Sequence, residues 1–250
     1  MDNIYQILIL LEFAIAVPIF IILFFIKAPY GRYTKRGWGP VINARFSWFI
    51  MEMPSVILPL YFFITAGAAS NPLFLLFIII WEAHYIQRTF VYPALMNRAS
   101  HKMPLLILLF SGIFNTVNGI INSYGIFVLE NSGTESLLSI KLIAGLLIFC
   151  AGFILNLTSD KILRNLRAPG ESGYKIPEKG MYKYICSPNY LGEILEWVGW
   201  AILTWSPAGA AFLVFTIANL APRAWSNLKW YRATFPDYPP ERKALIPGIY

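Results

Sequence analysis

The chain has 250 residues, 57% of them hydrophobic and 13% charged, with a formal net charge of +7 and a mean hydropathy of +0.58. Soluble domains carry roughly 25% charged residues, so the composition excludes an ordinary water-soluble globule. Two cysteines exclude a disulfide framework or a cysteine metal centre, and basic residues spread over four loops exclude a nucleic-acid surface.

Apolar stretches close to the ~20 residues that cross a bilayer recur along the chain. The first runs over 4–26 and contains Glu12. Asp2 is the only charged residue before it, with no basic n-region or small-residue cleavage site, so it is expected to be a permanent span and not a signal peptide. A basic loop at 27–45 leads to the second stretch, 46–66, where Glu52 stands two residues before Pro54. Proline there removes a helix hydrogen bond and loosens the span where a ligand enters. The third stretch, 72–92, holds Glu82, His84, Tyr85, Gln87 and Arg88, and Asn97 and Arg98 follow it. In the fourth, 104–128, Asn115, Asn118 and Asn122 form a stripe expected to act as interhelical glue. Asn156 and Asp160 sit at the end of the fifth, 137–157, before the loop 158–187. The sixth, 188–205, carries Asn189, Glu193 and Glu196. The seventh, 207–229, carries Arg223 and Asn227.

With seven spans, nineteen of the twenty Lys and Arg residues lie on one side and Lys141 alone on the other. The positive-inside rule makes the basic side cytoplasmic, with the N-terminus outside and the C-terminus cytoplasmic. The expected fold is therefore an all-α integral membrane protein, a seven-transmembrane-helix bundle of one domain over 1–250. No loop is long enough for an independent domain.

Five carboxylates fall inside these stretches: Glu12, Glu52, Glu82, Glu193 and Glu196. An acid at mid-membrane costs about 2.5–3.5 kcal/mol, so they must face protein, water or a ligand. Glu12 and Glu82 are expected to be packing partners of each other or of a tryptophan N–H. At ~1.5 Å per residue, Glu52, Tyr85, Glu193 and Glu196 all lie about 8–12 Å from the cytoplasmic ends of their spans. Helical spacing groups Asn156, Asp160 and Arg167 on one face. Asn189 joins Glu193 and Glu196, Arg223 joins Asn227 and Tyr231, and Tyr85 joins Arg88 and Tyr92 in the same way. A shared cavity open to the cytoplasm accounts for that common level. Arginines 88, 98, 167 and 223 suit phosphates, while amides and acids suit ribose hydroxyls and a carboxamide. Neither G-x-G-x-x-G nor a P-loop is present, so the bundle itself must hold such a cofactor.

The segments "EMPS" (52–55), "HYIQRTFVY" (84–92) with "NR" (97–98), and "NLTSDKILRNLRAPGESGYKIPEKGMYKYICSPNYLGEILEWVGWA" (156–201) resemble the steroid 5α-reductases, or 3-oxo-5α-steroid 4-dehydrogenases. So do "RAWSNLKWY" (223–231) and "FPDYPPERKALIPGIY" (235–250). The resemblance implies an NADPH-dependent oxidoreductase acting on a CH–CH group. Hydride goes to the β-carbon of a 3-oxo-Δ4 steroid and a proton to the α-carbon, and Tyr85 and Glu52 address the substrate carbonyl. It further implies that Asn189, Glu193 and Tyr231 serve nicotinamide and ribose. Asn97, Arg98, Asn156, Asp160, Arg167, Tyr174, Arg223 and Asn227 would serve the phosphates and adenosine, and Arg88 is a further expected cofactor-binding residue. Helices within 1–130 would form the substrate side and 137–250 the cofactor side. Animal members place glutamine where this chain has Met51, which leaves the carbonyl one polar contact fewer. A histidine-rich stretch becomes Ser226-Asn227-Leu228.

The expected partners are a lipid-soluble steroid-like substrate and the bilayer: the endoplasmic reticulum membrane in a eukaryote, the inner membrane in a bacterium. A monomer is expected, without metal. Three rivals remain: a relative acting on a polyprenal, enoyl thioester or other sterol; an isoprenylcysteine-type methyltransferase; and a transporter, disfavoured by the lack of an internal repeat.

Overall fold

A computed structural model describes residues 2–96, 102–129, 139–168, 171 and 173–250. Asn97 and Arg98 lie outside these described residues. Within them are seven helices of fifteen or more residues: α1 (Asp2–Phe25), α2 (Ala44–Thr65), α3 (Pro72–Ile86), α4 (Leu105–Tyr124), α5 (Ile140–Arg164), α6 (Pro188–Thr204) and α7 (Pro207–Thr234). Five stretches are long and apolar enough to cross a membrane: Asn3–Phe25, Ala44–Thr65, Pro72–Leu95, Leu105–Leu129 and Ile140–Arg164. The last two helices are not among these: α6 has only 17 residues, and α7 mixes its apolar residues with Asn219, Arg223, Ser226, Asn227, Lys229 and Arg232.

Helix starts are written into the sequence. Asn43, Asn71, Ser139 and Ser206 each accept a backbone N–H of the helix that follows, satisfying donors that have no intrahelical partner. Pro72, Pro188 and Pro207 open their helices, where a missing N–H costs nothing. One element falls outside the all-helical expectation: Val41–Asn43 pairs antiparallel with Lys102–Pro104 and ties the start of α2 to the start of α4. Past Ile86, α3 widens into a π-helical turn, Gln87–Val91, before one more α turn, Tyr92–Leu95.

Aliphatic side chains of α1, among them Ile7, Leu10, Val17 and Ile21, are exposed, as suits contact with lipid. The core is aromatic. Trp81 lies 4.9 Å from the Tyr85 ring and 5.0 Å from that of Trp200, and Trp197 is 4.2 Å from Phe212. Pro59 has no N–H, so the Ser55 carbonyl one turn earlier lacks its helical donor. Trp81 Nε1 donates to it at 2.7 Å and so joins α3 to α2. Between α5 and α6 the backbones nearly touch. A β-carbon on Gly152 would stand 2.5 Å from the Glu196 nitrogen, and one on Gly192 2.5 Å from the Asn156 nitrogen. That close approach brings the polar residues of the two helices together.

Candidate active site

A cavity of about 720 Å³ runs between α1, α2, α3, α4, α6 and α7. Glu52 and Tyr85 line it, from α2 and α3, and are only 8% and 3% exposed. Asn115 of α4 holds Glu52 in place: its Nδ2 donates to Glu52 Oε2 at 3.0 Å and to the Met51 carbonyl at 2.7 Å. Asn115 thus bridges helices, as expected of the asparagine stripe, and also belongs to the cavity wall, whereas Asn118 accepts only from Asn122 of its own helix and its Nδ2 has no partner among the described residues. Asn122 accepts Trp200 Nε1 at 2.9 Å and acts as glue alone.

Arg88 turns inward from the π-helical turn. Its guanidinium reaches Glu193 at 3.5 Å and Asp160 at 4.0 Å, and lies over the rings of Trp48 (4.5 Å) and Tyr92 (4.9 Å). Asn189 Nδ2 donates to Asp160 Oδ1 at 3.1 Å, and Asn156 Nδ2 to the Asn189 carbonyl at 3.0 Å. One polar chain therefore links Asn156, Asn189, Asp160, Arg88 and Glu193. Behind Tyr85, His84 Nδ1 and Glu196 Oε2 form a buried pair 2.6 Å apart.

A second cavity, about 300 Å³, is lined by Arg167, Tyr174, Asn189, Arg223, Asn227 and Tyr231, all expected from sequence. Helix α5 stops at Arg164, so Arg167 arrives from the following loop and not from the helical face its spacing suggests. Its Nη1 donates to the Gly173 carbonyl at 3.2 Å. Asn227 Nδ2 donates to Ser187 Oγ at 3.2 Å, and Tyr33 donates to Asn227 Oδ1 at 3.2 Å. Burial pushes the Tyr33 hydroxyl up to about 12, so it remains a donor throughout the neutral range. The two cavities share Ala28, Tyr30, Tyr190 and Arg223. Arg223 donates to Tyr30 and, at 3.0 Å, to the Tyr190 hydroxyl, which makes these three the polar part of the partition between them.

Sequence reasoning missed several of these residues. Tyr30, Arg32 and Tyr33 sit in the loop after α1, where no helical period marks a face. The interleaved aromatic and basic residues of "PYGRY" were the available signal. The Arg32 guanidinium lies 4.2 Å from the Trp230 ring and 5.1 Å from that of Tyr174, yet its buried Nη1 has no hydrogen-bond partner among the described residues. An orphaned guanidinium N–H among aromatic faces fits the phosphate of an aromatic nucleotide. One expectation fails. Glu12 and Glu82 pair neither with each other nor with a tryptophan, since all four carboxyl oxygens lack partners among the described residues. The N–H groups of Trp81 and Trp200 go instead to Ser55 and Asn122, which lie closer along the packed seams.

The fold and site are those of a mostly helical protein with five helices apolar enough to cross a membrane, in which an apolar, carboxyl-bearing cavity adjoins a cation-rich, aromatic one. The comparisons are more specific. Residues 101–250 match the family described as 3-oxo-5-alpha-steroid 4-dehydrogenase. Steroid 5-alpha-reductase DET2 of Solanum lycopersicum is 40% identical over 253 residues, covering 100% of this chain and 98% of that protein. The Gossypium hirsutum protein of that name is 39% identical, covering 95% and 94%. The 3-oxo-5-alpha-steroid 4-dehydrogenase 1 of Bos taurus is 39% identical, covering 96% and 94%. The chain belongs to the steroid 5-alpha-reductase (3-oxo-5-alpha-steroid 4-dehydrogenase) family, oxidoreductases that act on a CH–CH group. Membership sets aside the methyltransferase and transporter readings.

Proposed function

We propose that this chain reduces the 4,5 double bond of 3-oxo-Δ4 steroids with NADPH, giving 5α-reduced 3-oxo steroids. One observation carries the reading: Glu52 and Tyr85 line the same apolar cavity, which meets the cation-rich cavity at Arg223. When bound, NADPH supplies the hydride that saturates the enone β-carbon, and a proton completes the reduction at the α-carbon.

The chain's own residues do the rest. As the double bond is reduced, negative charge builds on the ketone oxygen. A Tyr85 hydroxyl and a protonated Glu52, fixed in a dry cavity, donate to that oxygen and lower the barrier most as the charge appears. Asn115 keeps the Glu52 carboxyl aimed. Asn189, Glu193 and Tyr231 would hold nicotinamide and ribose. Arg32, Arg167, Arg223, Tyr174 and Asn227 would hold phosphates and adenosine, with Asn156 and Asp160 supporting Asn189, Arg88 reaching Glu193 on the wall of the large cavity, and Asn97 and Arg98 completing the set. Residues 1–130 would supply most of the substrate side and 137–250 most of the cofactor side, although Arg32 comes from the first part. The same reading takes all seven helices as spans, with the N-terminus outside and the second cavity facing the cytoplasm. It places the chain as a monomer in the endoplasmic reticulum or bacterial inner membrane.

Met51, buried against the cavity beside Glu52, offers no side-chain donor. A second lipid enone, enal or sterol is therefore tested alongside steroids. Purified protein with NADPH and a panel including testosterone and progesterone is expected to consume NADPH and form the saturated 3-ketone. Tyr85→Phe and Glu52→Gln should each lose about 100-fold or more in kcat. Full activity in both variants would remove their assigned roles.

A further inference from the structure

Glu12 is the one ionisable group that α1 presents to the large cavity. Its neighbours on that wall, Leu8, Leu11, Ile15 and Ile19, are aliphatic. The side chain is 5% exposed, and neither carboxyl oxygen has a hydrogen-bond partner among the described residues. The other carboxylates of the cavity are engaged: Glu52 by Asn115, and Glu193 by Arg88. Glu82 is equally orphaned but does not line the cavity.

Position adds meaning. Ile9 of α1 clusters with Ala208 and Ala211 near the start of α7, while Tyr30 beyond α1 meets Arg223 farther along α7. The two helices therefore run side by side in the same direction. From Glu12 to Phe25 is thirteen residues, roughly 20 Å of helix. Glu12 thus stands toward the end of the cavity remote from the Arg223 partition. A buried carboxyl without partners is unfavourable in an apolar wall, and leucine would serve a purely hydrocarbon ligand better. A ligand hydroxyl, which both donates and accepts, satisfies a carboxyl in either protonation state.

We propose that Glu12 forms a second polar subsite, selecting 3-oxo-Δ4 steroids that carry a hydroxyl on the ring C, ring D or side-chain portion, away from the enone. This rests on the reductase reading above. The test uses pairs of 3-oxo-Δ4 steroids differing by a single hydroxyl in that portion, with wild type, Glu12→Leu and Glu12→Gln. Wild type is expected to favour the hydroxylated member of at least one pair by about tenfold or more in kcat/KM. Glu12→Leu should bring that ratio close to one, chiefly by raising KM for the hydroxylated member, and Glu12→Gln should keep part of the preference. Turnover with no preference in any pair, or a preference that survives Glu12→Leu, overturns the subsite and leaves the reductase reading standing. Loss of the preference in Glu12→Gln as complete as in an unstable Glu12→Leu also counts against it. No NADPH-dependent turnover of any steroid by wild type removes both.

Discussion

At the residue scale, the side chain that most repays attention is Asn115, which composition marks only as one of three asparagines in an apolar helix. Its amide joins the Glu52 carboxyl and the Met51 backbone from the neighbouring helix. A hydrogen bond to a group of this kind contributes about 1–3 kcal/mol. Asn115→Leu is therefore expected to lower kcat/KM for the enone about 10- to 100-fold while the affinity for NADPH holds, as steady-state kinetics in both substrates would show. An unchanged kcat/KM would mean that Glu52 needs no such support. That Glu52 and Tyr85 face a common cavity was legible because ionisable groups in an apolar stretch are costly and so stand out against hydrocarbon. Asn115 was not, since one amide on a helix face looks the same whether it glues helices or orients an acid. Arg32 was read only as a topology charge, and the failed pairing of Glu12 with Glu82 was likewise a guess about which helix faces meet.

At the element scale, the α5–α6 seam sets the register of the polar chain. Gly152 and Gly192 have backbone, not flexible side chains, opposite their missing β-carbons. Any larger residue must force the helices apart, and overpacking of this kind costs about 1–3 kcal/mol or more. Gly152→Leu is expected to lower the melting temperature in detergent and weaken NADPH binding together, because Asn156 and Asp160 would separate from Asn189. Gly112→Ala, with open space beside it, should leave both unchanged. A stable, fully binding Gly152→Leu would show that the seam is not what aligns the site. All seven helices were readable from hydrophobic runs, although α5 and α7 continue past the apolar runs at 157 and 229 to Arg164 and Thr234. Two local details were not: the π-helical turn at Gln87–Val91 and the paired strands at 41–43 and 102–104. Both depend on what the neighbouring helices supply, which a single segment does not record.

For the whole molecule, charge asymmetry predicts topology. Single cysteines introduced at the exposed Lys35, Lys161 and Lys175 in a cysteine-free background are expected to react with impermeant thiol reagents only from the cytoplasmic face. One at Lys141 should react from the other face. Mixed labelling among the first three would break the seven-span arrangement and with it the cytoplasmic mouth of the second cavity.

Hydropathy determined by itself that the chain is mostly helical and roughly where its helices run, and it singled out the polar residues within apolar stretches, because these are properties of one segment against water or lipid. Family resemblance added the chemistry. Tertiary structure alone decided that one apolar cavity and one cation-rich cavity meet at Arg223, that a loop arginine sits among aromatic rings, and that Glu12 faces the cavity without a partner. Such facts depend on which faces of distant helices come within a few ångströms, and periodicity along a single helix carries no record of that.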